Sequence, residues 1–283
     1  MTIPNITLNN GVEMPQEGFG VYQIADYEDC KQAVKDALSV GYRAIDTAQA
    51  YHNEEAVGQA IAESEVDRQD IFITTKVWIT NYGYEATKQS VLDSLDKLQT
   101  NYLDLVLLHQ PYNDYYGAYR ALEDLQAEGK LRAIGVSNFY ADRYVDLVKF
   151  NRVVPQVNQL ETHVFYQREE DNEYLKKYGT QIESWGPFAE GRNNFFDNET
   201  LQRIGDKYHK SVAQVALRFL TQKGVVIIPK STHKERMQEN LDIWDFELSS
   251  EDMQEIQSLD TKQSYFFDHE DPETVESITA STL

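Results

Sequence analysis

A chain of 283 residues, 41% hydrophobic and 26% charged, is long enough to bury a sizeable core and too apolar to stay disordered. Its 26 basic and 47 acidic residues give a net charge of −21, which argues against nucleic acid and anionic lipid as partners. The single cysteine excludes an intramolecular disulfide framework. With no apolar run long enough for a bilayer and no signal-like start in MTIPNITLNN, it points to a reducing, cytoplasmic setting.

In chain order, residues 6–15 (ITLNNGVEMP) read as a β-hairpin turning at Asn10-Gly11, placed to plug the bottom of whatever follows. Short β-rich apolar runs then recur at 17–22, 43–46, 71–77, 104–109, 131–137, 155–160, 180–185 and 224–229. Several are apolar on both faces, the mark of strands in a buried parallel sheet. Helical periodicity fills the intervals. Tyr27, Cys30, Val34, Ala37 and Leu38 form one stripe, and Tyr84, Thr87, Val91, Leu95 and Leu98 another. Gly41 and Gly129 stand where helices would end. Ser211 and Gln214 have capping-box spacing ahead of Val215, Leu217 and Leu220, and Thr232 and Glu235 repeat it for a helix starting near His233. Ser249 and Asp252 open a further short helix. The tail 262–283, carrying Tyr265, Phe266 and Phe267, is too aromatic to be left loose. No linker divides the chain, so residues 1–283 read as one domain. Eight strand–helix units in this length match a (β/α)8 TIM barrel.

In such a barrel the reactive groups sit at the C-terminal ends of the strands. Asp46 ends the second run, with Tyr51 in the loop after it; Lys76 closes the third and His109 the fourth. Each has an ordinary structural role open to it, as a turn cap, mouth cover, surface ion pair or core histidine. Together they place an acid, a phenol, an amine and an imidazole at one mouth. A phenol with a pKa near 10 is a poor proton donor at neutrality, and an adjacent ammonium would lower it. Lys76 is placed to do this, Asp46 to hold Lys76 charged, and His109 to hydrogen-bond a carbonyl oxygen. The set contains no nucleophile and no metal-ligand spacing, so the reducing equivalent has to come from a cofactor.

The segments RAIDTAQAY (43–51), ITTKVW (73–78), LLHQP (107–111), GVSNF (135–139), QVNQLE (156–161) and IPKSTHKERMQEN (228–240) resemble the aldo-keto reductases, in order and over nearly the whole chain. The resemblance implies a tetrad of Asp46, Tyr51, Lys76 and His109 with Tyr51 as general acid/base. It implies that Ser137, Asn138 and Gln159 hold a nicotinamide carboxamide and that Trp185 stacks on the nicotinamide ring. Gly20, Val21 and Tyr22 would border cofactor and substrate, with Trp78 a further wall of the substrate pocket. Glu239 and Asn240 would contact adenine. Lys230, Ser231, Thr232 and Arg236 gather at a helix N-terminus in an otherwise acidic chain, which suits a 2′-phosphate and therefore NADPH/NADP+.

Trp185, where many animal members have tyrosine, is similar to the bacterial branch that reduces diketo sugar acids and small dicarbonyls. Gln16-Glu17 departs from the family's Leu-Gly, and Val164 stands where a proline is common. The loop 187–197 is short, which points to an open pocket. The implied activity is reduction of small aldehydes and ketones by a monomer. A non-catalytic NADPH-binding regulatory subunit, similar to the potassium-channel β-subunits of this fold, is the alternative. Position 23 is Gln, so Gly18 and Gly20 do not open a G-x-G-x-x-G fingerprint.

Overall fold

Strand alternation explains the architecture, because successive residues of a strand point to opposite faces. The computed structural model describes residues 3–280; Met1, Thr2 and the last three residues of the aromatic tail lie outside the described residues. All eight β-rich runs form strands: β3 (Phe19–Gly20), β4 (Ala44–Asp46), β5 (Phe72–Val77), β6 (Leu103–Leu108), β7 (Leu131–Ser137), β8 (Val157–Glu161), β9 (Gln181–Trp185) and β10 (Val226–Ile227). Each pairs in parallel with its sequence neighbours. The sheet closes where the segment before β3 meets β10. There the Gly18 N–H donates to the Ile227 carbonyl at 2.8 Å and the Ile227 N–H to the Gln16 carbonyl at 3.0 Å. The fold is the (β/α)8 barrel that the repeat predicted.

Between and after the strands run α1 (Tyr27–Val40), α2 (Glu54–Ala62), α3 (Tyr84–Lys97), α4 (Tyr115–Ala127), α5 (Ala141–Phe150), α6 (Glu169–Tyr178), α7 (Glu199–Tyr208), α8 (Val212–Gln222), α9 (Lys234–Leu241), α10 (Ser250–Gln257) and α11 (Pro272–Thr279). The caps follow the sequence at most ends. Gly41 terminates α1 at φ 123°, and Gly129, at φ 78°, follows the last turn of α4. Ser211 and Gln214 form a complete capping box on α8, and the Ser249 hydroxyl accepts the Asp252 N–H at the start of α10. Cys30 is buried in the α1 stripe, and burial pushes its thiol up to about 12, the state of an inert core residue. Two stripe positions differ from the sequence reading. Tyr27 and Tyr84 both lie in the first turn of their helices and are exposed, with the Tyr84 hydroxyl donating to Asp124.

Two apolar clusters result. The larger joins the outer strand faces to the helices. The smaller fills the barrel interior with Ala44, Phe72, Leu105, Leu107, Ala133, Val157 and Val226, and is sealed by Leu8 and Met14 from the hairpin of β1 (Asn5–Thr7) and β2 (Glu13–Pro15). The hairpin is therefore the predicted plug. Gly135 of β7 makes room for this interior layer: a Cβ there would stand 2.8 Å from Leu107 Cδ2.

Glu17, the unusual acid of Gln16-Glu17, sits at the barrel seam and is fully buried. Its Oε2 accepts the Trp244 indole N–H at 2.9 Å, and its Oε1 lies 3.4 Å from the Tyr42 hydroxyl. Burial pushes its carboxyl up to about 8, against the opposing pull of those two bonds.

Candidate active site

Along four of the strands, the face that is apolar at the barrel floor becomes polar towards the mouth. Two residues above Ala44 stands Asp46; four above Phe72 stands Lys76; two above Leu107 is His109; two and four above Val157 are Gln159 and Glu161. The predicted tetrad converges there. Lys76 is fully buried, with its Nζ 2.5 Å from Asp46 Oδ1, 3.0 Å from the Thr47 carbonyl and 3.3 Å from the Tyr51 hydroxyl. The Tyr51 ring centroid lies 5.6 Å from that of His109 and 5.0 Å from that of Tyr22, and Trp78 packs edge-on against His109 at 5.2 Å. Tyr22 itself is exposed at the rim.

The electrostatics differ from the sequence expectation in one respect. Burial pushes the Tyr51 phenol up to about 12; the Lys76 charge pulls it down but does not win, and the Asp46 charge adds to the rise. Lys76 lowers the phenol relative to what burial alone would do, rather than bringing it below its ordinary value of about 10. Tyr51 is consequently a protonated phenol at neutral pH. Burial works to lower Lys76, but the Asp46 charge, Tyr51 and the Asp46 hydrogen bond outweigh it, and the ammonium is raised above its ordinary range. His109 is held well below its ordinary value by burial and by the Lys76 charge, so its ring is neutral. Its Nδ1 is buried with no hydrogen-bond partner, and its backbone carbonyl accepts the Asn138 side-chain N–H at 3.1 Å.

The residues assigned to the cofactor flank the tetrad. Ser137 and Asn138 end β7 and follow it. The Ser137 hydroxyl donates to the Gln159 carbonyl at 2.9 Å, and Asn138, at φ 64°, accepts the Trp185 indole N–H at 2.8 Å. Gln159 is buried and donates to Asp46 Oδ2 at 3.0 Å. Gly20 ends β3 where a Cβ would stand 3.0 Å from the Ile228 carbonyl oxygen, and the Val21 N–H donates to the Asp46 carbonyl at 3.1 Å.

The start of α9 needs a correction. His233, not Thr232, is the N-cap, and no side chain caps the helix. Ser231 folds back instead, its Oγ accepting the His233 N–H at 3.0 Å, so Thr232 and Glu235 do not form a capping box. This leaves the first-turn N–H groups without a protein acceptor from a cap, beside the exposed side chains of Lys230, Thr232 and Arg236. Glu239 is exposed and Asn240 buried further along the same helix.

Three contributors escaped the sequence reading. Glu183, on the inward face of β9, is buried beside the tetrad. Its signal was an acid inside an otherwise strand-like run, two residues before Trp185. Glu161 holds the tail by accepting the Ser264 hydroxyl at 2.6 Å and the Tyr265 N–H at 2.9 Å. His269, from the tail, is buried with its Nδ1 3.1 Å from the Tyr140 hydroxyl. The tail docks as anticipated. Phe266 packs on Trp185 at 5.1 Å, Phe267 stacks on it at 6.4 Å, and Tyr265 stacks on Phe165 at 5.6 Å. The loop 187–197 does not stand apart from the tail: Arg192 donates to the Tyr265 carbonyl and Asn193 to the Tyr265 hydroxyl. Among the described residues no group of three or more His, Cys, Asp or Glu side chains is placed to hold a metal ion.

A mouth with a buried Asp–Lys–Tyr chain, a neutral imidazole and an uncapped helix beside it can be compared with known families. The aldo/keto reductase family model matches residues 18–261. The chain belongs to that family. It is 48% identical to the glyoxal reductase of Bacillus subtilis over 255 residues, covering 90% of this chain and 92% of that protein. Its backbone matches the crystal structure of MGS-M4, an aldo-keto reductase from a Medee basin deep-sea metagenome library, with a TM-score of 0.91 and 40% identity, covering 94% of this chain and 98% of the other. It also matches an aldo-keto reductase of Bombyx mori solved in complex with NADP, with a TM-score of 0.88 and 32% identity, covering 93% and 94% of the two chains. In this aldo/keto reductase, the family model stops at residue 261, just before the aromatic tail.

Proposed function

We propose that this chain reduces small aldehydes and ketones to alcohols, α-dicarbonyls of the glyoxal type among them, with NADPH as hydride source. The observation that carries the reading is the buried chain from Asp46 through Lys76 Nζ to the Tyr51 hydroxyl, at 2.5 and 3.3 Å. The dicarbonyl preference is supported by the 48% identity to glyoxal reductase, and NADPH by the Bombyx mori relative's complex.

The donor set fits that cofactor at both ends. Lys230, Ser231, Thr232 and Arg236 with the open start of α9 would take the 2′-phosphate, and Glu239 and Asn240 the adenine. Ser137, Asn138 and Gln159 would take the carboxamide, Trp185 would lie against the nicotinamide, and Gly20, Val21 and Tyr22 would border it. When bound, NADPH supplies a hydride to the carbonyl carbon. Tyr51 delivers its proton to the developing alkoxide, and Lys76 stabilises the phenolate that remains. Asp46 keeps Lys76 charged and aimed. The neutral His109 donates a hydrogen bond to the carbonyl oxygen, and Trp78 and Tyr22 wall the pocket. Among the described residues no helix is long and apolar enough to cross a membrane. We read residues 1–283 as one domain, a cytoplasmic monomer without a nucleic-acid partner.

The test is NADPH oxidation by the purified protein, followed by absorbance against glyoxal, methylglyoxal, simple aldehydes and sugar-derived ketones, with NADH in parallel. Steady NADPH-dependent turnover of one or more supports the reading. Tight NADPH binding without turnover across the panel overturns it in favour of the regulatory subunit.

A further inference from the structure

Glu183 has no part in the chemistry above, yet it is buried 2.8 Å from the side chain of Gln159. A glutamine carboxamide has two N–H donors and one carbonyl acceptor. In Gln159 both donors are engaged, one with Asp46 Oδ2 at 3.0 Å and one with Glu183 Oε2 at 2.8 Å. The reverse orientation would set the Gln159 carbonyl against the Asp46 carboxylate, two acceptors with no proton between them. Only Gln159 Oε1 is then left to meet a ligand.

We propose that Glu183 is a positioning residue for the cofactor. Together with Asp46 it locks the Gln159 amide, so that Gln159 presents only an acceptor and selects the –NH2 of a carboxamide. The inference rests on the reading that NADPH binds with its carboxamide at Gln159. It links the two halves of the site, because Gln159 is held by the same Asp46 that holds Lys76. When ionised, Glu183 also favours the Lys76 ammonium. Burial and the Asp46 charge push the Glu183 carboxyl up to about 8. A protonated carboxyl keeps a carbonyl oxygen able to accept the Gln159 N–H, so the lock does not require Glu183 to be ionised. Without Glu183, one Gln159 donor is freed to meet an acceptor on a ligand, while Asp46 still holds the other.

The proposal makes a prediction about equilibrium binding. NADP+ and its 3-acetylpyridine analogue differ in that the analogue's acetyl group accepts but cannot donate. A neutral hydrogen bond contributes roughly 1 kcal/mol, so the wild-type protein should bind NADP+ about five- to tenfold more tightly than the analogue. In Glu183→Leu and Glu183→Ala, of which the first preserves volume and the second avoids overpacking, that ratio should fall below about twofold. The conservative Glu183→Gln, which keeps an acceptor for Gln159, should retain it. Binding of 2′,5′-ADP, which has no nicotinamide, should stay within about twofold of wild type and shows that each variant is folded. Calorimetric titration of the three ligands reads all of this without turnover. A wild-type ratio preserved in the folded Leu or Ala variant overturns the proposal. A wild-type protein that binds neither NADP+ nor 2′,5′-ADP overturns the cofactor reading itself, and the proposal with it.

Discussion

Replacing Glu17 by Gln should remove a pH-dependent loss of stability built into the barrel seam. Glu17 is fully buried, and its carboxyl is raised from 4.5 to about 8 chiefly by burial. The unfolded chain releases this proton near pH 4.5 and the folded chain near 8, so between those values the native state holds a proton that the unfolded state has lost. Stability from this group is complete below about pH 4.5 and declines as pH rises to about 8. At about 1.4 kcal/mol per pH unit the ceiling is about 5 kcal/mol, and relaxation around the charged form would leave ~2 kcal/mol or more.

The local geometry favours the neutral form as well. The Tyr42 hydroxyl has one proton and lies 3.2 Å from the Met237 carbonyl as well as 3.4 Å from Glu17 Oε1. A protonated Glu17 can donate to the Tyr42 oxygen while Tyr42 donates to Met237, and the side-chain amide introduced by Glu17→Gln can do the same. Thermal unfolding of both proteins from pH 5 to 9 is the assay. The two should melt within a degree or two of each other at pH 5, and E17Q should melt about 3–8 °C higher than wild type at pH 9. Parallel profiles across the range would refute the argument that Glu17 titrates inside the fold.

Tyr51→Phe should lower kcat by at least ~1000-fold while leaving the Kd for NADPH within about threefold, since the phenol is assigned to proton transfer. Stopped-flow turnover with fluorescence titration checks both, and lost NADPH binding would contradict a purely catalytic role. Arg236→Ala should raise the Kd for NADPH about tenfold or more with little effect on NADH; equal losses for both cofactors would remove the 2′-phosphate from this cluster. Phe266→Ala strips one ring from Trp185 at the mouth. It should raise KM for dicarbonyl substrates several-fold with a smaller change in kcat, and an unchanged KM would show that the tail does not wall the pocket.

Much of this protein follows from local rules that a sequence carries openly. Eight strand–helix units, the Ser211–Gln214 capping box and the Gly41 terminus depend on spacings within a few residues, and the structure has each of them. The tetrad was legible for a related reason. Strands keep their side-chain alternation, and barrel topology brings their C-terminal ends to one mouth, so Asp46, Lys76 and His109 had to meet.

What stayed hidden depends on distance in space rather than along the chain. Both Glu17 and Glu183 lie in strand-like runs, but nothing near them in sequence names their partners, since Glu17 meets Trp244 across the closing seam and Glu183 meets Gln159 on the neighbouring strand. The Thr232–Glu235 spacing was right for a capping box, yet the helix begins one residue later, with His233 at the N-cap and Ser231 holding the His233 N–H. The direction of the Tyr51 shift could not be read from having Lys76 as a neighbour, because desolvation depends on everything packed around the ring. Which residues face the barrel mouth follows from local periodicity, a property of the backbone that any strand carries along its own length. Which of them share hydrogen bonds, and how far burial moves their protons, follows from neighbours that the chain brings together only by folding.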